Sequence, residues 1–135
     1  MGEERIETGG CHCGAIRYTV IGEPAHSALC HCADCRKCAG APMVGWALFA
    51  EDKVKVEGEP TLYHSSEHAT RHFCGTCGTG LFYTNMAIFQ GMIDIQASTL
   101  DNQDAFPPGA HIQMADAAGW MEGVEALPKF DRYPG

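Results

Sequence analysis

Eight cysteines fall into three clusters with the spacing of metal ligands: GGCHCG with Cys11 and Cys13, CHCADCRKC with Cys30, Cys32, Cys35 and Cys38, and FCGTCGT with Cys74 and Cys77. In an extended segment residues i and i+2 point the same way. Cys11 with Cys13, and Cys30 with Cys32, can therefore each turn two sulfurs toward one ion. Cys74 and Cys77 meet instead through a tight turn, in which Gly75 and Gly78 admit unusual backbone angles and amide N–H groups stabilise sulfur charge. This is the pattern of a zinc knuckle. Zinc prefers four ligands in a tetrahedron, so eight thiols supply either two closed four-sulfur sites or one closed site and one open three-sulfur site. Spacing alone leaves both pairings open.

Two other cysteine chemistries fit less well. Cys32, Cys35 and Cys38 begin an iron–sulfur run, but no fourth cysteine or following proline completes it. No βαβ pattern surrounds any C-x-x-C, as a thioredoxin-like redox pair requires. The first ten residues, MGEERIETGG, mix both charge signs without an apolar stretch, which matches neither a secretory signal nor a transit peptide. A cytoplasmic protein is expected, and there thiols stay reduced and clustered cysteines more often bind metal than pair as disulfides.

The elements that must hold these sulfurs read as short strands. Ala15 to Ile21 alternates cleanly, with Ile16, Tyr18 and Val20 on one face and Arg17 and Thr19 on the other. Further strands are predicted at Ser27 to Cys30, Met43 to Phe49, Val54 to Glu57, Thr61 to His64, Ala69 to Cys74, Leu81 to Thr84, Met92 to Ala97 and His111 to Met114. Gly and Pro punctuate the turns between them, and short helical turns are expected after Cys35 and Ser98. Strands this short bury little apolar area each, so a metal crosslink would help fix their ends. At 135 residues, 45% hydrophobic and 19% charged, one domain over 1–135 is expected and no apolar run is long enough to span a bilayer. A net charge of −8 disfavours nucleic acid, which normally calls for a basic face. Arg17, Arg36, Lys37 and Arg71 lie near cysteines in sequence. Solvated surface charge is their ordinary reading, and a local positive pocket the alternative.

The stretches GGCHCGAIRY, CHCADCRKCAG and FCGTCGTGLF, the SxLD segment at Ser98 to Asp101, and HIQMADAAGW followed by LPKF resemble, in that order, the glutathione-dependent formaldehyde-activating enzymes, a family that shares its domain with centromere protein V. The resemblance implies an all-β fold of small antiparallel sheets stapled by zinc, the Mss4-like or β-tent fold, with two zinc ions. It also implies that Cys11, Cys13, Cys74 and Cys77 hold a structural zinc. Cys30, Cys32 and Cys35 would then hold a catalytic zinc with one position left for water or the thiol of glutathione. The implied activity is that of a carbon–sulfur lyase, in which a glutathione-type thiolate adds to formaldehyde or a related small aldehyde. The alternative is a noncatalytic zinc module that binds a protein partner or carries a thiol.

Around that site the residues read as follows. Arg36 and Lys37 follow the last proposed ligand directly, placed either to meet a carboxylate of the thiol substrate or to balance the anionic centre. His12 and His31 sit between paired cysteines and should point away from any ion. His72 and His111 read as strand residues with satisfied hydrogen bonds, Trp46, Phe49 and Trp120 as core or pocket mouth, and Asp94 as a solvated face. Cys38 departs from the family pattern. The three-residue step carries it around a helical turn away from Cys32, so a buried or supporting role is expected, with closure of the second site as the alternative.

Overall fold

The computed structural model describes residues 4–135. The reading of the opening segment therefore rests in part on residues 1–3, which lie outside the described residues. The chain runs through strands β1 (Ile6–Gly10), β2 (Arg17–Ile21) and β3 (His26–Cys30), helix α1 (Ala33–Ala39), then β4 (Val44–Ala50), β5 (Val54–Glu57) and β6 (Thr61–His64). It continues with β7 (Ala69–Phe73), β8 (Gly80–Asn85), β9 (Met92–Gln96) and β10 (His111–Ile112), with 3₁₀ turns at Glu51–Lys53, Ala97–Thr99, Met114–Asp116 and Gly119–Ala126.

These strands form two sheets. One has three strands in the order β1-β2-β5, and the other has seven in the order β10-β3-β4-β9-β8-β7-β6. All pairs are antiparallel except β10 with β3, which is parallel. Successive strand residues face opposite ways, so each face of the larger sheet can be read off its register. Ala47 pairs with Ile95, Ile95 with Phe82, and Phe49 with Ile93. These five side chains pack with Ile16, Tyr18 and Val20 of the small sheet into the main apolar core. Tyr18 is almost wholly enclosed; it meets Phe82 edge to face at 5.3 Å, and its hydroxyl lies 2.7 Å from the Thr99 hydroxyl. Burying such an aromatic with its polar end satisfied stabilises the junction of the two sheets by about 2 kcal/mol or more.

The opposite face carries a different row: His26 pairs with Leu48, Leu48 with Asp94, Asp94 with Tyr83, and Tyr83 with Arg71. Ala28, Trp46 and Cys30 lie on the same side by alternation. Helix α1 covers one end of this face, where Cys35 packs with Cys30, Val44 and Trp46 in a second, smaller cluster.

Several elements differ from their sequence reading. β1 is unpredicted, because IETGG has a single apolar residue and that residue, Ile6, is exposed. Its backbone pairing with β2 and the fit of Gly9 beneath Tyr18 hold it, since a Cβ at Gly9 would collide with the Tyr18 ring. Helix α1 begins before Cys35 rather than after it. The Cys32 sulfur caps it, accepting from the Cys35 N–H at 3.2 Å, and Asp116 accepts from the Ala33 N–H at 3.2 Å. A sulfur cap lacks the usual Ser, Thr, Asp or Asn signal. The strand predicted at His111 to Met114 ends at Ile112, because Gln113 takes the left-handed conformation with φ 58° and Met114 opens a 3₁₀ turn.

Candidate metal centres

Folding gathers seven of the eight sulfurs at two points. Cys11, Cys13, Cys74 and Cys77 form one group and Cys30, Cys32 and Cys35 the other, with the ligand atoms of each group within 4.8 Å of one another. In the first group the two segments meet across the small sheet's end: the Cys13 sulfur lies 3.7 Å from that of Cys11 and 3.7 Å from that of Cys74. A zinc–sulfur tetrahedron with bonds of about 2.3 Å has sulfur–sulfur edges of about 3.8 Å. A disulfide would draw the sulfurs to about 2 Å. The spacing therefore fits a four-sulfur metal site and not a covalent pair.

The backbone around these sulfurs is built to carry negative charge. Ile16 N–H donates to the Cys11 sulfur at 3.2 Å and Cys77 N–H to that of Cys74 at 3.4 Å. Each knuckle then turns on a left-handed glycine, Gly14 at φ 82° and Gly78 at φ 84°. Gly75, by contrast, is required by space rather than by backbone angle: a Cβ there would sit 2.5 Å from the Thr61 hydroxyl. Thr79 joins the two segments, accepting from the His12 N–H at 3.1 Å and lying 3.2 Å from the Cys77 sulfur. Its hydroxyl and backbone amides hold the Cys77 thiol down at about 5. For Cys13 the Ala15 amide pulls downward, but burial and the three neighbouring thiols outweigh it and push that thiol up to about 11. Four sulfurs this close ionise together only when a cation sits among them, which is the donor chemistry of a zinc site.

The second group sits on the cavity face of the large sheet. Cys30 ends β3, Cys32 caps α1, and Cys35 lies one turn into the helix, so its three sulfurs come from one short stretch of chain. Burial, with the Cys32 thiol, pushes the Cys35 thiol up to about 12, although an Arg71 guanidinium nitrogen lies 3.8 Å from its sulfur and works the other way. Arg71 also stacks over the Tyr83 ring at 5.0 Å. The three sulfurs open onto a cavity of about 430 Å³ whose walls include Trp46, Arg71, Tyr83, Asp94, Ile112 and Gln113.

The remaining candidates fall elsewhere. Cys38 is exposed rather than buried and stands outside the three-sulfur group; the helix runs through both residues and turns it outward. It lines a different cavity, of about 620 Å³, with Lys37, Tyr63, Arg71 and His72. Arg36 and Lys37 line a third cleft against Pro42 and Trp120, and neither reaches the wall of the cavity at Cys30, Cys32 and Cys35. His12 is exposed, whereas His31 is fully buried with its Nε2 2.9 Å from Nδ1 of His111. His72 lies 3.1 Å from the Thr84 hydroxyl, Phe49 belongs to the core, and Trp120 is exposed.

Two cavity residues overturn their sequence reading. Arg71 is half-buried beside Cys35 instead of solvated, while Arg17 meets Asp101 of the SxLD segment at 2.5 Å. Asp94, read as a solvated face, lies on the enclosed face of an internal strand, and burial pushes its carboxyl up to about 7. The flanks Ile93 and Ile95 fix which side of β9 faces the core, but the walls that enclose the other side, among them Cys35, Arg71 and Ile112, come from distant parts of the chain that alternation does not reveal.

Comparison with known proteins covers both sulfur groups. The family model for the glutathione-dependent formaldehyde-activating enzyme matches residues 6–116. A Halomonas elongata protein named for that activity is 27% identical over 130 residues, covering 84% of this chain and 78% of its own. An uncharacterized lyase of Schizosaccharomyces pombe is 35% identical over 79 residues, covering 57% of this chain and 58% of its own. The crystal structure of a Rhodobacter sphaeroides protein superposes with a TM-score of 0.61 at 23% identity, over 77% of this chain and 98% of the other, and shares the fold. With all seven gathered cysteines inside the matched span, the chain belongs to the glutathione-dependent formaldehyde-activating enzyme family.

Proposed function

We propose that this chain is a zinc-dependent carbon–sulfur lyase of the formaldehyde-activating type, joining a thiol such as glutathione to a small aldehyde and reversing that step, in the reducing cytoplasm. The observation that carries the reading is the three-sulfur group of Cys30, Cys32 and Cys35 facing a cavity, set beside a four-sulfur group that is complete in itself. Cys11, Cys13, Cys74 and Cys77 are assigned a structural zinc, and Cys30, Cys32 and Cys35 a catalytic one. On this reading residues 1–135 act as one domain. Cys30, Cys32 and Cys35 would hold the second zinc, and a zinc there would supply the Lewis acidity that favours an incoming thiol as its nucleophilic thiolate.

The chain's own residues supply the rest. Arg71 offsets the negative charge of the three sulfurs from within the cavity wall, which favours thiolate over thiol. Trp46, Tyr83 and Ile112 give the cavity apolar walls that restrict water around the reacting carbon. Exchange NMR between formaldehyde and its glutathione adduct tests the reading. The zinc-loaded protein is expected to speed exchange above the spontaneous rate at equal thiol; equal rates with and without protein would remove the lyase assignment.

A further inference from the structure

We propose that Asp94 is a catalytic acid–base residue of this cavity, giving a proton to the aldehyde oxygen as the carbon–sulfur bond forms and taking it back as that bond breaks. The inference rests on the lyase reading above. Its first support is position. The alternation of β9 buries Ile93 and Ile95 in the core, so the Asp94 side chain must project from the other face, where it lines the same cavity as Cys30, Cys32 and Cys35. The register sets it between Leu48 of β4 and Tyr83 of β8, in the middle of the sheet.

The second support is what surrounds it. The titratable groups sharing this cavity are His26 and Cys30 of β3, Cys32 at the head of α1, Asp34 and Cys35 within it, Arg71 of β7 and Tyr83 of β8. Among the described residues none forms a hydrogen bond or ion pair with the Asp94 carboxyl. Arg71, the one cation that a structural ion pair would use, is turned toward the Cys35 sulfur and the Tyr83 ring. A half-buried carboxyl whose desolvation no hydrogen bond or ion pair offsets is held near neutrality by that desolvation. A proton donor and acceptor near working pH is what the addition needs.

The step balances. The thiolate sulfur gives its electron pair to the carbonyl carbon, the carbon–oxygen π pair moves to oxygen, and the Asp94 carboxylic acid donates its proton there. The products are a hydroxymethyl thioether and an Asp94 carboxylate, which takes its next proton from water. In reverse the carboxylate removes the hydroxyl proton, the carbonyl re-forms, and the carbon–sulfur pair returns to sulfur.

Asp94→Asn and Asp94→Glu in the zinc-loaded protein test the role, with exchange measured net of the spontaneous rate. Asp94→Asn is expected to lower kcat about 100-fold or more with KM changed little, and to erase a limb of the pH profile near about 7; Asp94→Glu is expected to restore part of the rate. Infrared difference spectra of wild type against Asp94→Asn should show a carboxyl band that persists well above the usual carboxylate range, a readout independent of turnover. If wild type itself gives no acceleration, the lyase reading falls and this role with it. If wild type accelerates exchange and Asp94→Asn does so equally, or changes KM alone, the proton role is overturned while the lyase reading stands. A carboxyl band that titrates in the ordinary range likewise overturns it.

Discussion

Replacing one cysteine in each sulfur group should destabilise the chain unequally, because the two groups close loops of very different length. Cys74→Ser and Cys35→Ser are a matched pair: both residues are buried, at 1% and 6% exposure, so the cost of enclosing a hydroxyl is similar. Cys74 belongs to a group that ties it to Cys13, 61 residues earlier. Crosslinking a loop of that size removes unfolded-state entropy worth about 4 kcal/mol, whereas the group from Cys30 to Cys35 closes one short stretch worth about 2 kcal/mol. The expected difference of about 2 kcal/mol is a large share of a typical stability of about 5–15 kcal/mol. In urea unfolding of the reduced, zinc-loaded proteins it should appear as a midpoint about 1 M lower for Cys74→Ser than for Cys35→Ser. Equal midpoints, or a Cys74→Ser protein as stable as wild type with its full metal content, would refute the assignment of the first group as the long-range staple.

Other perturbations follow from the same geometry. Gly78→Ala meets no atom within 4 Å, so its cost is backbone strain alone at φ 84°, about 1–2 kcal/mol in urea unfolding; an unchanged midpoint would show that the knuckle does not need the left-handed turn. Because burial raises the Asp94 carboxyl to about 7, the folded chain holds a proton that the unfolded chain loses near pH 4, and stability falls as pH rises between those values. Asp94→Asn is therefore expected to stabilise the protein at about pH 8 by up to about 4 kcal/mol, with the gain shrinking as pH falls below about 7 and gone near about pH 4; a loss of stability at pH 8 would contradict the burial account. Arg71→Met removes the cation beside Cys35, so cobalt loading of the three-sulfur group, followed by its sulfur charge-transfer absorption, should require higher pH than in wild type while loading of the four-sulfur group stays unchanged.

What the sequence made legible was mostly local. The period of two in Cys11-His12-Cys13 and Cys30-His31-Cys32, and the C-x-x-C turn at Cys74, mark sulfur pairs without reference to the rest of the fold. The predicted strands Val54–Glu57 and Thr61–His64 have the observed ends, since a 3₁₀ turn and a Gly-Glu-Pro turn punctuate them. Which pairs converge was not local. Joining Cys13 to Cys74 depends on how β1 and β2 meet the turn before β8, and spacing holds no record of that; only the family resemblance supplied it. Asp94 shows the same limit in another form. Alternation placed it correctly opposite Ile93 and Ile95, but its environment depends on strand order, and β9 lies between β4 and β8 rather than at an edge. Cys38 was misplaced because α1 starts at Ala33 behind a sulfur cap, which turns the thiol out of the cavity instead of into the core. Arg71 was read as solvated because nothing in its own segment reveals the helix that covers it.

Zinc K-edge X-ray absorption with metal analysis on freshly purified, reduced protein tests the central assignment most directly. Two ions per chain are expected, together holding about seven sulfur ligands and one lighter atom, so the averaged environment should show about 3.5 sulfurs and about 0.5 lighter atom per zinc, from a closed four-sulfur site and a three-sulfur site with one further ligand. A metal-free folded protein, a single ion, or two sites each ringed by four sulfurs would contradict the account.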